Sequence, residues 1–223
     1  MTRRVLLSWS SGKDSAWSLS RLVAEPDTEV VGLLTTLNEA ADRVAMHAVR
    51  HELLRRQAGA TGLPLWSVGL PFPCSNEQYA ERMAAAVARA EAEGVTHVAF
   101  GDLFLEDIRA YREQQLAATA LEPLFPLWGA PGDTPALARE MVAAGLSAVL
   151  TCVDPKQLDP SFAGRRFDAE LLDELPEGVD PCGENGEFHT FVTQAPCFTA
   201  PLEVSVGEVV ERDGFVYADV LPA

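Results

Sequence analysis

The sequence predicts an α/β fold: a parallel sheet with helices on both faces, followed by a smaller C-terminal α+β lobe. Three observations carry this. Apolar runs of strand length alternate with helical patterns through the first half of the chain, as βαβ units do. The first run passes through Ser10-Ser11-Gly12-Lys13-Asp14-Ser15 directly into a helix. Beyond Pro126 the texture changes to a Gly/Pro-rich segment, LWGAPGDTP, and then to short mixed elements. Two domains are expected, 1–125 and 126–223.

Taken in order, Arg4–Ser8 reads as a strand and Ser15–Ala24 as a helix closed by Glu25-Pro26. Glu29–Leu37, rich in Val, Leu and Thr, is a buried strand. Met46, Val49, Leu53 and Leu54 have amphipathic spacing, predicting a helix over Met46–Ala60. Pro64–Leu70 is a third strand. Ser75–Gly94 is a helix with Ser75 and Gln78 at capping-box spacing and Gly94 as its stop; its Met83/Val87 stripe reads as core. Val95–Gly101 is a fourth strand, ending at Gly101-Asp102. The lobe begins with a helix, Pro135–Gly145, and a strand, Ser147–Val153. A short helix near Asp168–Leu175 and a polar loop, CGENGEFHTF, follow. The alternating tail carries Asp213-Gly214, a hairpin signal.

Composition narrows the function classes. The chain has 223 residues, 48% hydrophobic, enough for a substantial core. The apolar run in MTRRVLLSW is too short for a signal peptide or a membrane span, so a cytoplasmic protein with no membrane partner is expected. The four cysteines, Cys74, Cys152, Cys182 and Cys197, are widely spaced without Cys-x-x-Cys. That argues against a disulfide scaffold or a structural zinc site. A formal charge of −16 argues against nucleic acid as a partner. Fifteen of the seventeen basic residues are arginine, so Lys13 and Lys156 stand out. A lysine inside a Gly-containing turn supplies a compact point charge.

A strand-end loop feeding a helix N-terminus is an anion site, because free N–H groups and the helix dipole point the same way. Gly12 permits close approach, Ser10, Ser11 and Ser15 add hydroxyls, and Lys13 adds charge. The Walker A pattern fails here: Leu7 stands where it needs glycine, and Asp14 where it needs Ser or Thr. The better match is the pyrophosphatase loop S-G-G-x-D-S, with Ser11 in place of its first glycine. An ordinary Ser/Gly turn is the competing reading.

Together with FGDLFLEDIRAYRE, PLFPLWG, TCVDPKQLD and above all DPCGENGEFHTFV, this turn resembles the diphthine–ammonia ligase family of N-type ATP pyrophosphatases. The resemblance runs from residue 4 to about residue 205. It implies the adenine nucleotide alpha hydrolase-like (HUP) fold and ATP-driven amide formation in which a carboxylate is adenylated, pyrophosphate leaves, and ammonia displaces AMP. It implies ATP, ammonia and an unidentified carboxylate acceptor, a small molecule or a protein side chain, as partners. Ser10 to Ser15 would cradle pyrophosphate, with Gly101 and Asp102 at the same sheet edge. Lys13 would balance developing charge, and Asp14 and Asp102 would orient the loop or coordinate Mg²⁺.

Glu184, Glu187 and His189 are candidates for the acceptor or ammonia side; loop stabilisation and a structural histidine are the competing readings. Arg109 or Arg112 could reach a phosphate, Lys156 is a candidate substrate contact, and His47 lies near the expected site on the Met46–Ala60 helix, with a helix-surface histidine as the favoured reading. Glu106, Asp107, Arg109 and Arg112 fall at helical spacing, as a solvated ion-pair face would. Two alternatives stay open: a tRNA-modifying member of the same loop superfamily, and a non-catalytic adenine-nucleotide-binding protein. A homodimer is compatible with the sequence.

Overall fold

The computed structural model describes residues 2–39, 43–44 and 49–223. Its first sheet contains β1 (Arg3–Ser8), β2 (Thr28–Asn38), the two-residue β3 (Arg43–Val44), β4 (Leu65–Leu70), β5 (His97–Ala99) and β6 (Glu122–Leu124). Five of these run parallel in the order β4-β2-β1-β5-β6; β3 pairs antiparallel with the end of β2. From β1 the chain steps outward to β2 and β4, then returns to add β5 and β6 on the other side. Strand order therefore reverses between β1 and β5, and open parallel sheets bind ligands beyond the strand carboxyl ends at such a point.

Side chains of β1 alternate between two apolar clusters, as a strand buried on both faces requires. Val5 and Leu7 join Ala16, Leu19 and Leu22 of α1 (Lys13–Val23) and Leu53, Leu54 and Ala58 of α2 (His51–Thr61). Leu6 joins Leu34, Trp66 and Val98, with Ala90 of α3 (Asn76–Ala92) and Leu116 of α4 (Glu106–Leu116). The capping box forms: Ser75 Oγ accepts from the Gln78 N–H at 3.2 Å, and Gln78 Oε1 accepts from the Ser75 N–H at 2.9 Å. Among the described residues no helix is long and apolar enough to cross a membrane.

The second sheet is antiparallel. After α5 (Thr134–Ala143), its central strand β7 (Ser147–Val153) pairs along one edge with β9 (Phe188–Gln194). Its other edge takes β8 (Arg166–Phe167) and the end of a hairpin, β10 (Val204–Arg212) and β11 (Phe215–Pro222). The hairpin turn has positive φ at both Asp213 (54°) and Gly214 (81°), the geometry expected of Asp-Gly. The short α6 (Ala169–Glu174) is capped by Asp168, whose Oδ1 accepts from the Leu171 N–H at 3.0 Å. The apolar cluster around Val5 and Leu7 continues into Val149, Phe167, Phe188 and Phe191, so it spans both sheets.

Several expectations shift. The helix expected from Met46 begins at His51, with Val49 and Arg50 non-helical; Met46 and His47 lie outside the described residues. Helix α1 starts at Lys13, inside the Ser/Gly turn, because Gly12 serves as its N-cap. The strand read over Val95–Gly101 is confined to His97–Ala99. CGENGEFHTF is a loop only to Glu187; from Phe188 onward it is β9, ladder-paired to β7. Strand β6 carried no signal beyond a few apolar residues. Met83 and Val87 are partly buried and pack against the Leu6 cluster, and they also form the wall of a cavity.

The sheets are fastened to each other at the Ser/Gly turn. Val192 of β9 donates its N–H to the Ser11 carbonyl at 3.0 Å. Gln57 of α2, fully buried, donates Nε2–H to the Ser11 carbonyl at 3.0 Å and to the Val192 carbonyl at 2.7 Å. Its Oε1 accepts from the Trp9 indole N–H at 3.1 Å. Gln57→Leu keeps the volume and removes all three bonds, orphaning buried polar groups at a total cost of about 3 kcal/mol. Thermal melting should show a midpoint lower by about 6–12 °C for a chain this size; an unchanged midpoint would contradict this.

Candidate active site

The Ser10–Ser15 turn leaves β1 at the strand-order reversal and enters α1 without a spacer. Ser15 Oγ donates to the Gly12 carbonyl at 2.9 Å and lies 3.3 Å from Ser10 Oγ. The Lys13 N–H donates to Thr190 Oγ1 of β9 at 3.1 Å. Gly101, at the end of β5, passes so close that a Cβ there would meet the Asp14 carbonyl carbon at 3.1 Å and Ser15 N at 3.2 Å. A side chain there would press on the backbone of the first turn of α1, so glycine lets the segment after β5 pass against it.

A polar cavity of about 230 Å³ opens over this turn. Ser10, Gly12, Lys13, Asp14 and Ser15 form one wall, and Gly101, Asp102 and Arg112 a second. Glu184 and His189 close it from the C-terminal lobe. Lys13 Nζ donates to both Asp14 carboxylate oxygens at 2.8 Å and lies 5.9 and 5.7 Å from the ring centres of Phe167 and Phe188. Burial opposes its charge, but Asp14, with Cys182 and Glu184 nearby, raises its pKa above the ordinary lysine value. It therefore remains cationic at neutral pH. The Cys182 thiol, pushed up to about 12 chiefly by burial, stays protonated beside it.

The lobe's contribution is built on Asp180, which the sequence reading passed over. Asp180 Oδ2 accepts from the Glu184 N–H at 2.8 Å and Oδ1 from the Cys182 N–H at 3.3 Å. Gly183 has φ +67°, and a Cβ there would stand 2.8 Å from the Phe188 carbonyl oxygen, so the turn requires glycine. Glu187 is buried and does not line the cavity: its Oε1 accepts from the Asp180 N–H and from Asn185 Nδ2, both at 3.0 Å. Glu184 faces the cavity, with Oε1 accepting from the Leu103 N–H at 2.7 Å. Burial pushes its pKa up to about 7, where a carboxyl group exchanges protons near neutrality. Burial, with the Lys13 charge, pulls His189 down to about 4, so its imidazole is neutral.

A second cavity of about 560 Å³ adjoins the first. Leu34, Thr35 and Thr36 at the end of β2 form its floor, and Met83, Val87 and Tyr111 are among its helical walls. Thr35 Oγ1 is buried there and has no hydrogen-bond partner among the described residues. Lys156 is exposed and lines neither cavity. Arg109 also lines neither: its Nε donates to Glu113 at 2.8 Å while its guanidinium sits over Phe125 and Trp128. Glu106 and Asp107 lie on the exposed side of α4.

The diphthamide synthase N-terminal domain model matches residues 3–117 and the C-terminal domain model residues 133–218. The chain belongs to the diphthamide synthase family. Among its relatives, diphthine–ammonia ligase of Rattus norvegicus is 26% identical over 97% of this chain and 88% of its own length. That of Danio rerio is 29% identical over 97% of this chain and 92% of its own. The protein of the same name from Schizosaccharomyces pombe (strain 972 / ATCC 24843) is 27% identical over 94% of this chain but only 37% of its own length. The resemblance read from the Ser/Gly turn and the Gly183–Thr190 run is thus borne out.

Against the diphthamide synthase loop pattern, Ser11 is the departure, and it carries strain. Its φ is +71°, the left-handed region, and its buried Oγ has no hydrogen-bond partner among the described residues. A non-glycine residue there costs roughly 1–2 kcal/mol, partly offset by the stiffer unfolded chain. Ser11→Gly should therefore stabilise the protein by about 1 kcal/mol, raising the melting midpoint by about 2–4 °C. A lower midpoint would show that the hydroxyl contributes more than the strain costs.

Proposed function

We propose that the protein is an ATP-dependent amide-forming ligase that adenylates a carboxylate and transfers ammonia to it; its relatives are named for ligation of diphthine and ammonia. The observation that carries the reading is the convergence of the Ser10–Ser15 turn with Glu184 and His189 on one polar cavity, adjoining an apolar one. Residues 1–125 supply the nucleotide side and 126–223 the acceptor and ammonia side. The family match sets this above a tRNA-modifying enzyme, and a passive nucleotide binder has no use for a titrating carboxyl group opposite the loop.

In this reading the β- and γ-phosphates lie in the turn, against the α1 N-terminus and the Lys13 charge. The adenosine enters the apolar cavity, where Thr35 Oγ1 offers an unsatisfied polar contact. A carboxylate oxygen of the acceptor attacks the α-phosphorus, the bond to the bridging oxygen breaks, and pyrophosphate leaves. Ammonia then attacks the acyl carbon and AMP departs. Glu184, poised near pH 7, takes the surplus proton from nitrogen, and neutral His189 orients the amine by hydrogen bonding. Glu187 holds the loop that presents Glu184.

Asp14 and Asp102 both face the polar cavity, and among the described residues no group of three or more His, Cys, Asp or Glu forms a metal cluster. That donor set suits Mg²⁺, which is held by one or two carboxylates together with substrate phosphates. Asp14 and Asp102 would hold the ion, and it would neutralise phosphate charge.

The test is incubation with [α-³²P]ATP, Mg²⁺ and ammonium, with and without the host's metabolite and protein extract, resolving AMP from ADP. Extract-dependent AMP and pyrophosphate are expected, falling at least about a hundredfold in Lys13→Ala. Formation of ADP, or ATP turnover indifferent to Lys13, would contradict the reading.

A further inference from the structure

Among the described residues, the two cavities share four wall residues: Ser8, Ser10, Phe100 and Arg112. Arg112 is the one charged residue among them. If the turn holds the β- and γ-phosphates and the apolar cavity holds adenosine, the α-phosphorus must lie where the cavities meet. From this juxtaposition we propose that Arg112 binds the α-phosphate, and hence the acyl-adenylate made from it. The inference rests on the ATP reading above and adds a catalytic residue to it.

The geometry shows a guanidinium at rest and ready to be exchanged. Arg112 Nε donates to Asp102 Oδ2 at 3.4 Å, well beyond the roughly 2.7–2.9 Å of a strong charge-assisted bond. Its guanidinium carbon lies 4.9 Å from the centre of the Phe100 ring, which keeps the fork at the cavity junction. Its side chain remains 31% exposed, so movement toward a phosphate breaks no buried network. Two other cations of this region are held elsewhere. Lys13 is engaged by both oxygens of Asp14, and Arg109 is held by Glu113 over two aromatic rings. A planar fork also suits two oxygens of one phosphate, whereas the β/γ end is served by the lysine point charge and the loop.

The α-phosphate position also gives Arg112 a role in the chemistry. Attack by the carboxylate adds charge to the equatorial oxygens of the α-phosphorus, and a guanidinium already against them stabilises that charge without reorganising. In the second half-reaction the same contact stabilises AMP as the leaving group.

Calorimetric titration with adenosine, AMP and pyrophosphate as separate probes tests the assignment. Arg112→Gln should weaken AMP about tenfold or more while changing adenosine and pyrophosphate by less than about threefold. Arg112→Lys should recover part of the AMP affinity, because charge without the fork is a poorer match. Unchanged AMP affinity in Arg112→Gln, or parallel losses of AMP and adenosine, would overturn the proposal while leaving the ATP reading in place. Wild-type protein that binds none of the three probes would overturn the ATP reading and the Arg112 proposal with it.

Discussion

A single buried amide holds the arrangement together. Gln57 reaches from α2 to the Ser11 and Val192 carbonyls and to the Trp9 indole, and so fixes the turn against strands of two different sheets. The Lys13 N–H to Thr190 bond and the Val192 N–H to Ser11 bond add two further ties across the same seam. Buried polar networks of this kind are stable only when their members are satisfied, which gives them a specific geometry. His189 faces the turn because β9 is tied to it at Thr190 and Val192, and the loop that carries Glu184 leads directly into β9. The polar cavity is a consequence of that seam.

Electrostatics inside the cavity follow from the same closeness. Lys13 keeps its charge although buried, since Asp14 takes it bidentately and two aromatic faces flank it. Glu184 is less well compensated: one backbone donor holds it, and burial lifts it to about 7. Burial raises the Asp14 carboxyl as well, against the opposing pull of the Lys13 charge that hydrogen-bonds to it, so two carboxyl groups of one small site meet burial with different partners. The proposed triphosphate site is compatible with a formal charge of −16, because the charge that counts is the local one at the helix N-terminus.

Much of this was legible in the residues. Alternating apolar runs and helical patterns specify the parallel sheet, and the strand running into Ser-Ser-Gly-Lys-Asp-Ser ends at the cavity the turn lines. Gly101 and Asp102 were placed at the same edge because they follow the carboxyl end of a parallel strand. What escaped had no local signature. Gln57 is one glutamine in an unremarkable helix, and its meaning arises from contacts 46 and 135 residues away. Asp180 precedes the polar run and looks like an ordinary Asp-Pro turn. Phe188–Thr190 read as loop because half of the run is polar and Gly-containing, yet pairing with β7 makes it a strand. Arg112 was legible as a residue that could reach a phosphate, but its place at the junction of two cavities was not.

The central claim is that ATP lies across the two cavities, with its pyrophosphate portion in the turn. A crystal structure of the protein with α,β-methylene-ATP and Mg²⁺ tests it most directly. The account predicts β- and γ-phosphate oxygens within hydrogen-bonding distance of the Ser10–Ser15 turn, and a purine resting on Leu34–Thr36. A triphosphate bound elsewhere, or a nucleotide reversed so that its base occupies the polar cavity, would contradict it.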